Sequence, residues 1–285
     1  MTPGTVRSML TSLLTPRYGA GEAAFIARIV VEDIFFSKTN PERTLTEAET
    51  HHFEQIKNRL VAGEPVQYVL GEADFFGLKF KVNPAVLIPR QETEELVFWV
   101  LEHLKTRVLE HPVLLDIGLG SGCIGITLKK KNPSLQLFGL EKSPAALAVA
   151  VENARLMLGE SKGYNFREGN ILDRSDWEQF PLLDVVVSNP PYIPHAEKNV
   201  MPEHVLAHEP ALALFVENDE PLLFYRVIAD FCLKRLRPGG TLFFECNEFN
   251  ATEVADLLHQ KNFREIELRT DLAGAPRMVK GMRAD

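Results

Sequence analysis

The chain has 285 residues, 31 of them Lys or Arg and 39 Asp or Glu, for a formal net charge of -8, and 45% of its residues are hydrophobic. That composition excludes disorder, collagen and coiled coil, and a chain of this size buries roughly three quarters of its unfolded surface without staples. The acidic balance disfavours a protein that holds long nucleic acid by charge alone, and no apolar run reaches the ~18 residues of a membrane span. The N-terminus lacks the basic head and unbroken apolar run of a signal peptide. The three cysteines, Cys123, Cys232 and Cys246, are widely spaced and odd in number. They suggest neither a disulfide framework nor a metal site, and a reducing, cytoplasmic compartment is expected.

Residues 1–64 read as a helical bundle. Apolar residues recur at helical spacing in Val6, Met9, Leu10 and Leu13, and again in Ile26, Ile29, Val30 and Ile34. Thr46-Glu47-Ala48-Glu49 announces a third helix with Phe53, Ile56 and Leu60 on one face, and Gly63 and Pro65 stop it. Residues 65–90 change character. Val66, Tyr68, Phe75, Phe76, Leu78, Phe80 and Val82 are mostly β-formers broken by Gly71 and Gly77, which predicts a β-hairpin linker of one or two short hairpins.

Residues 91–285 open with a helix over 92–104 and then alternate. Strands are predicted at Val113–Ile117, 135–140, Tyr164–Glu168, Leu183–Ser188 and 241–245, with two more near 264–269 and 277–280. Helices are predicted at Cys123–Lys131, Pro144–Leu158, 221–236 and Ala251–Gln260. Apolar runs such as VLLDI and DVVVS belong to a parallel sheet covered on both faces, and right-handed crossovers then give a doubly wound α/β domain.

The turn after the first of these strands reads Asp116-Ile117-Gly118-Leu119-Gly120-Ser121-Gly122. Glycines there permit positive φ and close approach of a ligand to the main chain, and the next helix offers unpaired N–H groups. Glu141 ends the following strand about 20 residues on, where an acid typically holds ribose hydroxyls. Gly120-x-Gly122-x-x-Gly125 also satisfies the dinucleotide fingerprint, but the tight turn starts at Gly118, which favours the nucleoside site of S-adenosylmethionine enzymes. A ligand-free glycine turn is the bland alternative.

Ser188-Asn189-Pro190-Pro191-Tyr192 is the most informative stretch. An apolar strand runs into two prolines, which fix φ, remove N–H groups and push the preceding residues to extended geometry. The result is a stiff loop carrying the Asn189 amide, the Pro190 carbonyl and the Tyr192 ring. Two uncharged acceptors at the proper angle hold a planar NH₂ group, and an aromatic ring stacks on a flat amide or base. Amide nitrogens are poor nucleophiles, so aiming their remaining lone-pair density at an activated methyl is worth several kcal/mol. The bland alternative is a rigid strand exit with a buried tyrosine.

These motifs together resemble the peptide chain release factor glutamine N5-methyltransferases, over nearly the whole chain. Gly63–Gly71 (GEPVQYVLG) is similar to the family's join between helical domain and hairpin. Phe75-Phe76-Gly77, VLIPRQETE over 86–94, EPALAL over 209–214 and DLAGAPR over 271–277 also fit. The resemblance implies a Rossmann-like class I methyltransferase domain behind an N-terminal helical domain that grips the substrate. It implies methyl transfer from S-adenosylmethionine to the glutamine of a Gly-Gly-Gln motif in release factors, without direct nucleic-acid binding, membrane or metal. By position, Gly118, Leu119, Gly120, Ser121 and Gly122 line the cofactor, Glu141 holds its ribose, Asn170 and Ile171 lie by the adenine, and Asn189 borders it. Asn189, Pro190, Pro191 and Tyr192 receive the glutamine.

Four positions depart from the family pattern. Leu119 stands where Thr is usual, Glu141 where Asp is common, Asn170 for Asp and Gln91 for Pro. They bear on cofactor affinity rather than on the reaction. The alternatives are a ribosomal-protein glutamine methyltransferase, which shares the Asn-Pro-Pro-Tyr string, and more distantly an adenine-N6 nucleic-acid methyltransferase. The latter needs a basic groove, and none stands out. A non-enzymatic binder would be expected to have lost the glycine turn, the acid or the asparagine, and a dehydrogenase leaves Asn189–Tyr192 unexplained. Lys129-Lys130-Lys131 suits a helix C-terminus better than RNA, and at least one of Phe75 and Phe76 is expected in the core.

Overall fold

The computed structural model describes residues 1–35, 43–107, 109–159, 163–216 and 220–284. The chain forms two compact units, Met1–Glu72 with Pro202–His208, and Ala73–Met201 with Glu209–Asp285. None of the described helices is long and apolar enough to cross a membrane.

The first unit holds α1 (Pro3–Phe35), α2 (Glu47–Val61) and α3 (Val66–Leu70). Gly19 breaks α1 with φ 76° and ψ 164°, so two helical stretches meet there. Val6, Leu10 and Leu14 from the first stretch and Ile26, Val30 and Ile34 from the second face Phe53, Ile56 and Leu60 of α2 in one core. The i, i+4 steps of these residues are what bring them onto single faces. Thr46 caps α2 reciprocally: Glu49 N donates to Thr46 Oγ1 (3.3 Å), and Thr46 N donates to Glu49 Oε2 (2.8 Å).

Val66–Leu70, read from its composition as strand, is instead a short helix. Pro65 precedes it, Gly71 ends it at φ 75°, and Val66 and Val69 bury against the helical core. Arg59 Nη1 and Nη2 donate to the carbonyls of Val69 (2.9 Å) and Tyr68 (3.0 Å) at its end. Strand propensity spans only about 1 kcal/mol, so burial and capping override it. The hairpin occupies β1 (Glu72–Phe75) and β2 (Leu78–Lys81). Its two turn residues, Phe76 and Gly77, both have positive φ, as such turns require.

The second unit continues with α4 (Gln91–Thr106), β3 (Val113–Ile117), α5 (Cys123–Lys131), β4 (Gln136–Glu141), α6 (Pro144–Leu158), β5 (Tyr164–Glu168) and β6 (Leu183–Ser188). Short β7 (Ile193–Pro194) pairs with β8 (Phe215–Val216); between them in sequence lie α7 (Glu203–His208), which belongs to the first unit, and α8 (Ala211–Leu214). Then come α9 (Leu223–Arg235), β9 (Leu236–Glu245), α10 (Ala251–Gln260), β10 (Phe263–Thr270) and β11 (Pro276–Arg283).

Seven strands form the main sheet in the order β10-β11-β9-β6-β3-β4-β5, parallel from β9 to β5, with β11 alone reversed, antiparallel to both β9 and β10. Alternation divides the strand residues between two cores. Leu115, Ile117, Val186 and Phe244 pack with α9 and α10, while Leu114, Val185, Val187 and Phe243 pack with α4 and α5. This is the doubly wound, Rossmann-like arrangement expected of the catalytic region. The chain enters at β3, moves out through β4 and β5, and returns to β3's other side at β6. The β3/β6 boundary is therefore the topological switch point, where open α/β sheets bind ligands.

Candidate active site

Strand register places the site. Phe244, Ser188, Ile117, Leu140 and Arg167 occupy one row across five adjacent strands. The next residue on each strand is Glu245, Asn189, Gly118, Glu141 and Glu168, so the acids, the asparagine and the glycine turn share the sheet's carboxyl edge. A cavity of about 270 Å³ opens there, and Gly118, Leu119, Gly120, Ser121, Glu141, Asn170, Ile171, Asn189, Pro190 and Pro191 all line it. The edge is locked by Ser188 Oγ, which donates to Ile117 O at 2.8 Å.

The glycine side is a backbone construction. Gly118 N and Leu119 N both donate to Leu140 O (2.8 and 3.3 Å), folding the turn onto β4. Gly118 and Gly120 have φ of 78° and 54°, and a Cβ at either would meet nothing within 4 Å, so both present bare backbone. Gly120 N donates to Glu141 Oε2 (2.9 Å) and Ser143 N to Glu141 Oε1 (2.8 Å). Each carboxylate oxygen retains acceptor capacity for a hydroxyl group. Gly122 lies outside the lining. Its φ of 79° starts α5, and a Cβ there would meet Ile126 Cδ1 at 2.6 Å.

Asn170 is held by its neighbours: its N donates to Asp176 Oδ2 (2.7 Å), and its Oδ1 accepts from Leu172 N (3.1 Å). One acceptor site of that amide oxygen is thus already used. Ile171 is buried, and its carbonyl accepts from Trp177 Nε1 at 2.8 Å.

The asparagine side is built from side chains. Asn189 Nδ2 donates to Thr93 Oγ1 (3.4 Å), and Thr93 Oγ1 donates to Glu245 Oε2 (2.7 Å). Asn189 is among the neighbours that favour the charged form of the Glu245 carboxyl. Thr93 and Glu245 are buried, at 3% and 2% exposure. Burial pushes the Glu245 carboxyl up to about 7 against the pull of Thr93 and Arg277. Tyr192 is not in the lining. Its half-buried ring packs on the core below β6, and burial raises its phenol above the ordinary range, with Glu245 and Arg277 among the nearby charges.

Several site residues carried no readable role in the sequence. Asp116 is buried beneath the turn, its Oδ2 accepting from Gly125 N at 2.9 Å, and burial pushes its carboxyl up to about 8. Glu209, whose side chain is 1% exposed, accepts from Ile88 N (3.3 Å) and Arg90 Nη2 (2.6 Å), closing the cavity rim between segments 119 residues apart. This explains why PR at 89–90 and EP at 209–210 belong to one pattern. Arg277 Nε likewise donates to Asp271 Oδ2 (3.1 Å). Asn153, fully buried, donates through Nδ2 to Ser121 O and Lys81 O (both 2.9 Å), tying turn to hairpin. A buried asparagine amid the apolar positions of α6 was the available signal. Phe75 is core, edge-on to Phe80; Phe76 is half-buried beside Lys131, and neither lines the cavity. Cys123 does line it, with burial pushing its thiol up to about 12, far from a reactive thiolate.

Residues 97–214 match the family model described as the methyltransferase small domain, and residues 17–71 match the PrmC N-terminal domain. A release factor glutamine methyltransferase of Flavobacterium psychrophilum is 43% identical over 242 residues, 85% of this chain and 83% of that protein. One of the same name from Bacteroides thetaiotaomicron is 37% identical over 254 residues, 88% of this chain and 86% of that protein. Among solved structures, a methyltransferase from Pyrococcus furiosus aligns with a TM-score of 0.51 at 14% identity, over 84% of this chain and 100% of that one, a likeness of fold alone.

Proposed function

The chain belongs to the release factor glutamine methyltransferase family, and on that premise we propose that it moves a methyl group from S-adenosylmethionine to the side-chain amide nitrogen of the glutamine in a release factor's Gly-Gly-Gln motif. The observation that carries this reading is the opening of the Gly118–Gly120 turn, Glu141 and Asn189 into one cavity.

The residues fit that cofactor. Glu141 has two oxygens oriented by backbone N–H groups and capacity left for two neighbouring hydroxyls, and the turn is bare where a Cβ would otherwise stand. Asn170 and Ile171 border the same cavity as a place for the base. When bound, S-adenosylmethionine supplies an electrophilic methyl on a positively charged sulfur.

Asn189 and Pro190 act on the other reactant. The Asn189 amide oxygen and the Pro190 carbonyl accept the two hydrogens of the glutamine NH₂, which fixes the plane of the amide and the direction of its nitrogen. Because Pro190 and Pro191 stiffen the loop, little ordering remains to be done when the substrate arrives, and such prepositioning lowers the barrier by several kcal/mol. The nitrogen loses a proton after the methyl is attached, so no strong base is needed. Tyr192 backs this loop from the core side. The helical first unit provides the grip on the factor, since a small loop alone offers too little surface for recognition.

The test is incubation with labelled S-adenosylmethionine and purified release factor, with the modified residue located by mass spectrometry. Label on the glutamine of the Gly-Gly-Gln motif is expected. Label on a ribosomal protein or a nucleic acid instead would overturn the reading.

A further inference from the structure

The two ends of an asparagine side chain are nearly the same size, so its neighbours decide which end faces where. At Asn189 the neighbours are Thr93 and Glu245. A threonine hydroxyl has one proton, and that of Thr93 is committed to Glu245 Oε2 at 2.7 Å. Toward Asn189, 3.4 Å away, Thr93 Oγ1 therefore has only a lone pair to offer. The Glu245 carboxylate, whose charged form Asn189 favours, has only lone pairs as well. Thr93 Oγ1 can only accept, so Asn189 must give it the NH₂ group, and its oxygen is left for the cavity it lines.

We propose that Glu245 is a positioning residue that, through Thr93, fixes the polarity of the Asn189 carboxamide and so makes the pocket take a primary amide in preference to a carboxylate. The inference rests on the glutamine reading above and goes further, because it locates amide selectivity in a residue that need not touch the substrate. An Asn189 oxygen facing the cavity meets the N–H of a glutamine. A flipped Asn189 would turn donors to the cavity, which suit a glutamate.

The polarity is conditional on an ionised Glu245. Protonated, or replaced by glutamine, position 245 gains a donor that can face Thr93 Oγ1, and the Thr93 proton is then free to turn to Asn189. The flipped amide then becomes competitive. The charged and titratable groups around Glu245 are Glu92 on α4, Arg277 on β11, Tyr192 in the diproline loop, Tyr225 on α9, Cys123 on α5 and the adjoining Cys246. Arg277 favours the charged form and Glu92 opposes it, but burial dominates and holds the group near neutrality. Selectivity for the amide therefore rises as pH rises through about 7.

The experiment measures the affinity of the whole enzyme, saturated with S-adenosylhomocysteine, for a release factor carrying its glutamine and for the same factor with that glutamine changed to glutamate. Titrations run from pH 6 to pH 8.5. Wild type is expected to favour the glutamine form by about tenfold or more at the upper end, with the preference shrinking toward pH 6. Glu245→Gln is expected to lose most of the preference at every pH while binding S-adenosylhomocysteine as wild type does. Thr93→Val should behave like it, and Thr93→Ser, which keeps the hydroxyl, should restore the preference. A Glu245→Gln or folded Thr93→Val variant with undiminished preference overturns the inference and leaves the glutamine reading standing. A wild-type enzyme that neither prefers the glutamine form nor methylates it overturns both.

Discussion

On the glycine side of the cavity, the shaping hydrogen bonds come from backbone N–H groups at positions 118, 119, 120 and 143, and their acceptors are Leu140 and Glu141. On the asparagine side they come from the side chains of Thr93, Asn189 and Glu245, the outermost of which are 152 residues apart. The contrast follows from what each side has to do. A nucleoside can be held by main-chain groups and one acid, which a turn and a strand end supply locally. A reactive amide must meet an acceptor of one polarity, and polarity in a carboxamide is set only by other side chains.

The largest expected effects separate the two sides. Asn189→Ala removes an oriented acceptor at the reacting amide, and the single-turnover rate should fall about 100- to 1000-fold, as when a preorganised polar group is deleted from an active site. Affinity for S-adenosylhomocysteine by calorimetry should stay within about threefold, since the group's other contacts are to protein. Glu141→Ala should do the reverse: cofactor affinity down about 10- to 100-fold, the scale of hydrogen bonds to a charged group, with a smaller change in rate at saturating cofactor. If both variants moved the same parameter, the division between the two sides would be wrong.

The same contrast explains what could be read from the chain. Gly118, Gly120 and Glu141 stand out in sequence because their partners lie within about 20 residues and the strand–turn–helix pattern fixes their frame. The parallel sheet was legible for a similar reason: fully apolar β3 and β6 have no amphipathic reading. Asn189–Tyr192 was legible as a stiff loop. Thr93 and Glu245 were not, because a threonine in a helix's first turn and a glutamate at a strand end are individually unremarkable, and only the register of β9 with β6 and the packing of α4 against β9 bring them to Asn189. Gly122 had the opposite fate: it fits the glycine pattern, yet its position answers to Ile126 and the start of α5. Val66–Leu70 shows a third case, in which local β-preference yields to burial.

Each side also conceals a carboxyl kept from ionising easily, Asp116 at about 8 and Glu245 at about 7. Both are raised above their unfolded values, so the folded chain binds more protons than the unfolded one between roughly pH 4 and pH 8. Their stabilising contribution is complete below the unfolded pKa and is lost as pH rises through the folded one. Asp116→Asn keeps the shape and removes the titration. Its unfolding free energy, measured in urea from pH 4.5 to pH 8.5, should gain on wild type as pH rises, by on the order of 1–3 kcal/mol in all. A constant gap across that range would mean that Asp116 is not held protonated beneath the turn.

The smallest effects probe how much of the glycine side is packing and how much is access. At Gly125 a Cβ would stand 2.9 Å from both Asp116 Oδ2 and Leu137 Cδ1. Gly125→Ala should therefore cost about 1–3 kcal/mol by overpacking, read as a lower thermal midpoint, since Gly125 is absent from the cavity lining. At Gly120 there is room, and the penalty is conformational: φ is 54°, a left-handed backbone that costs an L-residue about 1–2 kcal/mol. A methyl at Gly120 would also cover backbone that faces the cavity. Gly120→Ala should accordingly lose cofactor affinity out of proportion to its stability, and Gly125→Ala the reverse. Should Gly125→Ala weaken the cofactor as much as Gly120→Ala does, the buried Asp116–Gly125 contact would be shaping the binding surface itself, and the glycine side would depend on a distant side chain after all, as the asparagine side does.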